Sequence, residues 1–239
     1  MAFQTVFERY EVKYLLTVEQ KAALLQAMEP HMQLDQYGRT TIRNIYFDTD
    51  NYRLIRHSLE KPAYKEKLRI RSYSVAEPED PVFVELKKKY DSVVYKRRVV
   101  MPQHQAMGWL CDGATHPDRS QITDEIDYFC TFYQNLRPTV FLSYDREAYY
   151  CVDGTDFRVT FDENILSRRE NLSLAAPIGG ASLLPEGMVL LELKTPGGIP
   201  LWMSRFLSRQ QIFKTSFSKY GTAYRDQIFS LNKGEHNHV

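Results

Sequence analysis

The chain has 239 residues, 43% hydrophobic and 26% charged, ordinary globular statistics with enough apolar matter for one sizeable core. A formal net charge of +1 excludes an overall field that would steer a polyanion, so any anion binding must come from how the basic residues are arranged. No run approaches the roughly 18 apolar residues needed to span a bilayer, and the widely spaced Cys111, Cys130 and Cys151 argue against a disulfide framework or a CxxC zinc site.

In chain order, alternating patterns predict strands over 6–15, 41–48, 64–74, 81–90, 93–101, 139–150, 156–163 and 188–195. Thr17 followed by Gln20 reads as a capping box opening a helix that runs to about Met32. Further helices are expected over 103–111, 121–136, 201–212 and 217–231, the last two after the break at Pro196-Gly-Gly-Ile-Pro200. The stretch 164–187 lacks alternation and reads as a long loop, over a tunnel mouth if a tunnel forms. Asp48 and Asp50 read as turn caps after a strand. One domain over 1–232 with a disordered tail over 233–239 is expected. The opening MAFQTVFERYEVKY shows no signal-peptide core, from which a cytoplasmic location is expected.

Sorting each strand into its two faces carries the chemistry, because successive strand side chains point to opposite sides. One set of faces collects twelve basic residues: Arg9, Lys13, Lys67, Arg69, Arg71, Lys87, Lys89, Lys96, Arg98, Arg146, Arg158 and Lys194. It collects only four acids: Glu11, Glu85, Asp162 and Glu192. The other faces are apolar. A solvated sheet face explains any one strand, but seven strands with the same bias predict an α+β fold in which an antiparallel eight-stranded barrel closes with its apolar side outward beneath helices, around a charged lumen. So many confined cations require anions to offset them, which points to an extended phosphate ligand held by Arg forks and Lys charges, with inward glutamates such as Glu11 and Glu192 available to a divalent metal. Glu85, Lys89, Arg98, Asp162 and Lys194 could equally form internal ion pairs that hold the barrel together.

The segments RYEVKYLL (9–16), YFDTDNY (46–52), KLRIRSY (67–73), FVELKKK (83–89), VYKRRV (94–99), LSYDREAYY (142–150), RVTFD (158–162), LLELKT (190–195) and FSKY (217–220), in that order and spacing, resemble the triphosphate tunnel metalloenzymes. Within them the chain resembles the catalytic domain of the vacuolar transporter chaperone (VTC) complex, a polyphosphate polymerase. The resemblance implies that Lys13, Arg69, Arg71, Lys87, Lys96, Arg146 and Arg158 bind the triphosphate and the growing chain, Tyr144 hydrogen-bonds a phosphate oxygen, Lys219 reaches in from one tunnel end with Lys214 nearby, and Glu192 is the main ligand of Mg²⁺ or Mn²⁺. Lys67, on the strand face of Arg69 and Arg71, joins the substrate-binding set by that face. Two departures stand out. Hydrolytic relatives typically carry ExExK, whereas this chain has Arg9-x-Glu11-x-Lys13, which favours the polymerase-like branch. Ser216 stands where the polymerase has a second lysine before its FSK.

The implied reaction moves the γ-phosphoryl of ATP onto a polyphosphate chain, with Arg69, Arg71, Lys87, Lys96, Arg146 and Glu192 in the catalytic set. The attacking phosphate is already an anion and needs no general base. A triphosphate hydrolase and a non-catalytic polyphosphate-binding module are the alternatives. Nucleic acid is disfavoured, because the cations map to an interior and do not interleave with exposed aromatics. The chain encodes no membrane segment of its own, which leaves a membrane partner open.

Overall fold

Eight segments in which charged and apolar residues alternate pair edge to edge and close on themselves. The computed structural model describes residues 6–114, 116 and 118–229, with side chains from Tyr10 onward, so Arg9's side chain and the predicted tail lie outside what is described. The elements run β1 (Val6–Thr17), α1 (Val18–Met28), β2 (Met32–Leu34), β3 (Thr40–Asp48), α2 (Arg53–Leu59), β4 (Tyr64–Ser72), β5 (Pro81–Tyr90), β6 (Val93–Pro102), α3 (Gln103–Cys111) and α4 (Gln121–Tyr133). They continue with β7 (Arg137–Cys151), β8 (Arg158–Arg168), β9 (Ala181–Ser182), β10 (Met188–Thr195), α5 (Leu201–Arg209), β11 (Lys214–Thr215), α6 (Lys219–Tyr224) and a π-helical turn, Arg225–Phe229. The ring order is β7-β3-β4-β5-β6-β1-β10-β8, and β8 pairs back onto β7; every pairing is antiparallel.

The apolar faces point outward under helices, as the alternation predicts. Leu68, Ile70, Val82, Val84 and Leu86 pack beneath α3 and α4 with Trp109, Ile126 and Phe129. On the other flank Tyr14, Leu16, Val159, Phe161, Leu191 and Leu193 pack beneath α1 and α5 with Leu24, Met203 and Leu207. Each fully buried leucine or isoleucine contributes about 1.5–3 kcal/mol relative to its exposed state. At the start of α1 the Thr17 hydroxyl accepts from Gln20 N–H while the Gln20 side chain accepts from Thr17 N–H, the predicted capping box.

The inner face is not charged throughout. Ile42, Val140, Leu142 and Leu190 form an apolar plug with Tyr220, Ala223 and Tyr224, and every residue of α6 is buried. The base of that plug hangs on Asp48, buried within the ring. Its carboxylate accepts from the backbone N–H groups of Thr49, Leu54 and Ile55 at 2.8, 2.9 and 3.0 Å and from Tyr220 Oη at 2.8 Å. One side chain thus caps α2 and ties it to α6, consistent with the cap expected of Asp48; Asp50 instead pairs with Arg137 on the surface.

Four helices are shorter than the pattern-based expectation. The helix after Thr17 ends at Met28, since β2 begins at Met32, and α4 ends at Tyr133, where Gln134 takes a positive φ. The C-terminal helical stretches shorten to Leu201–Arg209 and Lys219–Tyr224, the latter passing into the π-helical turn. The 164–187 stretch is not one loop. β8 runs on to Arg168 through a bulge at Asn164 (φ 49°), β9 pairs with β8, and Leu174, Leu183 and Leu184 are buried. Gly180 is required there, because a Cβ on it would stand 2.2 Å from the Ser167 carbonyl oxygen.

Candidate functional site

The inward polar faces gather into two ionic clusters with a carboxylate at the centre of each. In the first, the registers Arg69↔Glu85 and Glu85↔Arg98 across β4, β5 and β6 place one carboxylate between two guanidiniums. Glu85 is fully buried. Its Oε2 accepts from Arg69 Nε and Nη2 at 2.9 and 2.7 Å, and its Oε1 from Arg98 Nε and Nη2 at 2.9 and 2.7 Å. Lys96 Nζ lies 3.4 Å and Arg71 Nε 3.8 Å away. Burial raises the Glu85 pKa, but the charges of Arg71, Arg69, Lys96 and Arg98 outweigh it and hold the carboxyl well below its usual range. Arg69 also donates to Tyr46 Oη at 2.8 Å, and Arg71 donates to Asn44 Oδ1 at 3.0 Å and Tyr144 Oη at 2.9 Å, so both forks are fixed before any ligand arrives.

The second cluster joins β1, β7, β8, β10 and the start of α6 around Glu192. Lys13 and Lys219 approach Oε1 at 3.3 and 3.2 Å, and Arg146 and Lys194 approach Oε2, each at 3.3 Å. Buried Asp162 accepts from Arg146 Nε and Nη2 at 2.6 and 2.7 Å and from Lys219 Nζ at 2.5 Å. Burial again raises the Glu192 pKa, and Lys219, Lys13, Lys194 and Arg146 drive it well below the carboxylate range. Lys219 is itself raised: Asp162 and Glu192 overcome its burial.

Between the clusters lie Lys87, Glu11 and Lys67. Lys87 Nζ meets Glu11 Oε2 at 2.6 Å; burial raises Glu11, yet Lys87 brings it down to about 2. Lys67 donates to Ser218 Oγ at 2.9 Å and, among the described residues, has no carboxylate within ion-pair distance. Burial, then the charges of Lys13, Lys87, Lys65 and Arg69, push its ammonium well below the ordinary lysine value. Among the described residues, ten basic side chains line this interior (Lys13, Lys67, Arg69, Arg71, Lys87, Lys96, Arg98, Arg146, Lys194, Lys219) against four carboxylates. Such an excess in a confined, part-dry space concentrates anions.

A family model described as the VTC domain matches residues 8–227. The chain belongs to the VTC domain family. No curated protein sequence matches it significantly. Two solved structures share the fold of this VTC domain. One is an adenylate cyclase candidate from Bacillus halodurans, 16% identical, with a TM-score of 0.56 over 90% of this chain and 96% of that one. The other, an adenylyl cyclase candidate from Hippeastrum described as having a dominant triphosphatase activity, is also 16% identical, with a TM-score of 0.55 over 91% of this chain and 95% of that one. No helix among the described residues of the VTC domain is long and apolar enough to cross a membrane.

Of the residues singled out from sequence, Glu11, Lys13, Lys67, Arg69, Arg71, Lys87, Lys96, Tyr144, Arg146, Glu192 and Lys219 converge on this interior. Arg158 and Lys214 do not. Arg158 shares the face of Thr160 and Asp162 but is the first residue of β8, 51% exposed and paired with Asp156 at 3.3 Å. Lys214 is exposed and registered opposite Tyr14, hence on the face turned away from Lys13. Glu85, Arg98, Asp162 and Lys194 are held in ion pairs, whereas Lys89 has no carboxylate within ion-pair distance among the described residues. Tyr46, Asn44 and Ser218, which orient Arg69, Arg71 and Lys67, were not foreseen, because a neutral residue leaves no mark in a charge pattern.

For a divalent cation the hard oxygen donors on offer are Glu192 and Glu11, both ionised; the charge of Glu192 acts on Glu11 directly. Among the described residues no group of three or more His, Cys, Asp or Glu side chains is arranged to hold a metal. That donor set suits Mg²⁺ or Mn²⁺ arriving with phosphates, since such ions are commonly held by one or two carboxylates together with substrate oxygens.

The lysines also predict a pH signature. Burial lowers Lys96 to about 7 and Lys194 to about 8, with Glu85 and Glu192 respectively opposing it. A bound polyanion favours the charged form and raises both values, so binding takes up protons and weakens as pH rises through 7 and 8. Calorimetry of tripolyphosphate binding at pH 8 in buffers of different ionisation enthalpy should show wild type taking up about one proton more than Lys96→Met. Equal uptake would mean Lys96 does not titrate with the ligand.

Proposed function

We propose that this VTC domain is a metal-dependent phosphotransferase of the polyphosphate-polymerase type, which moves the γ-phosphoryl of a nucleoside triphosphate such as ATP onto the end of a polyphosphate chain. The observation that carries the reading is the excess of interior basic residues over carboxylates, with Lys67 at its centre beside no carboxylate among the described residues. An extended chain of phosphates supplies the missing negative charge at regular intervals. The family membership and the triphosphatase described for the Hippeastrum protein support a substrate of the triphosphate class.

Phosphoryl transfer asks a protein for positioning and charge stabilisation more than for covalent chemistry. A terminal oxygen of the chain attacks the γ-phosphorus, the bond from that phosphorus to the β–γ bridging oxygen breaks, and ADP leaves with the electron pair while the chain grows by one unit. Arg69 and Arg71, pre-oriented by Tyr46, Asn44 and Tyr144, present fixed N–H forks to non-bridging oxygens, and Arg146, Lys96, Lys87 and Lys13 add charge around them. Mg²⁺ or Mn²⁺, held by Glu192 with Glu11, would supply charge neutralisation on the nucleotide phosphates.

Hydrolysis is the weaker alternative on electrostatic grounds. A water nucleophile wants a carboxylate poised near neutral pH, and all four interior carboxylates are pushed the other way by their cations. The deciding assay incubates the protein with ATP and Mn²⁺, with and without a short polyphosphate primer, and follows ADP, free phosphate and polymer together. Polymer appearing in step with ADP is expected. Stoichiometric free phosphate without polymer would make this a triphosphatase, and tight polyphosphate binding without turnover a binding module.

A further inference from the structure

Resting on the polyphosphate reading above, we propose that Lys65 and Lys89 form a landing track that carries the tail of a long polyphosphate out of the ring, beyond the subsite that holds a triphosphate. The evidence is a ladder of opposed like charges. In the β4–β5 register Lys67 stands directly opposite Lys87, and one step further out Lys65 stands directly opposite Lys89. Directly opposed like charges destabilise a strand pair, so two such rungs in succession are a cost to folding that some other contact must offset. The inner rung has its offset in part, through Lys87 and Glu11 at 2.6 Å. The outer rung does not. Lys65 donates only to the Ser58 carbonyl oxygen at 3.3 Å, and neither Lys65 nor Lys89 has a carboxylate within ion-pair distance among the described residues.

A coat of solvated lysines is the bland explanation, and two facts stand against it. Lys88, between Lys87 and Lys89 on the same strand but facing outward, finds Glu125 at 3.2 Å, so this surface supplies carboxylates where lysines need them. Lys65 and Lys89 are moreover only part-exposed. Burial, then neighbouring lysines, lower both ammonium groups, with Lys13 and Lys61 acting on Lys65, and Lys65 and Lys87 on Lys89, where Glu11 is the opposing charge. The two rungs run from Lys67 beside Ser218 toward the strand ends, where Tyr64 and Tyr90 are exposed. Same-face residues on a strand are about 6.6 Å apart, so the ladder presents evenly spaced cations to a linear polyanion and discriminates by its length.

The test compares binding of sodium tripolyphosphate and of a long-chain polyphosphate to the full chain, as wild type, as Lys65→Ala/Lys89→Ala, and as Lys88→Ala for a control. The double variant should lose about tenfold in long-chain affinity, with its dependence on salt flattened by roughly one to two units of log–log slope, while tripolyphosphate binding stays within about twofold and Lys88→Ala matches wild type. Relief of the opposed charges should also raise its melting temperature in the absence of phosphate. The track is refuted if long-chain affinity is unchanged, if both ligands lose the same factor, or if the melting temperature falls, which would make the lysines structural. A length effect that persists in a protein making no polymer would support the track and sink the polymerase reading alone.

Discussion

Glu85→Ala should cost about 3–5 kcal/mol of folding stability, the largest loss expected from any single interior substitution, measured as a shift in urea midpoint at constant slope. The reason is stoichiometric. One fully buried carboxylate accepts four hydrogen bonds from Arg69 and Arg98 and lies within ion-pair distance of Lys96 and Arg71 as well. Deleting it removes the carboxylate that these confined cations share. By contrast Glu125→Ala, which removes a part-exposed partner of Lys88 and Arg97, should cost at most about 1 kcal/mol. Added tripolyphosphate should recover much of the loss in Glu85→Ala, because an anion that binds the folded state stabilises it by mass action. A variant neither destabilised nor rescued would show that the charge excess does not govern this interior.

Glu192→Ala should separate binding from turnover in opposite directions. Without metal, its removal frees Lys13, Lys194, Lys219 and Arg146 from a competing carboxylate, so tripolyphosphate should bind more tightly than to wild type. With Mn²⁺ and ATP, turnover should fall about 10²–10³-fold, the loss typical when a preorganised electrostatic element is deleted. Asp162 still pairs with Arg146 and Lys219, so the fold should persist. Parallel loss of binding and turnover would instead assign Glu192 a structural role only. The two substitutions form a contrast: the expected loss is of folding stability at Glu85 and of turnover at Glu192, although both sit at the centre of similar cation clusters.

Strand alternation made the ring legible because it reports faces directly. All eight ring strands lie where the pattern puts them, and the inward charges of β4 and β5 were sorted correctly by parity alone. Parity says nothing about depth, however. Arg158 has the right parity and lies at the rim, half exposed, while Asp162, four residues on, is fully buried. The α2 helix was missed because it has only seven residues and follows Tyr52 in a left-handed conformation (φ 57°). Its cap is Asp48, outside the usual one-residue window. The extension of β8 to Arg168 was hidden by the bulge at Asn164, which shifts the two-residue period by one and makes a strand read as a loop. Lys89 could have been either half of an ion pair or an unshared charge, and only the cross-strand register decides between them.

Ring closure also sets an order on synthesis. β1 is bonded on one edge to β6 and on the other to β10, with Tyr10 opposite Thr195 and Thr17 opposite Met188. A nascent chain that has not yet reached Met188 therefore carries β1 and β8 as open edges, their N–H and C=O groups bare and their outer faces apolar, the geometry that recruits strands from other chains. The half-made protein is thus the sticky one. Conditions that stall translation before Met188 should yield insoluble fragments, whereas in the finished ring each of the eight strands is paired on both sides.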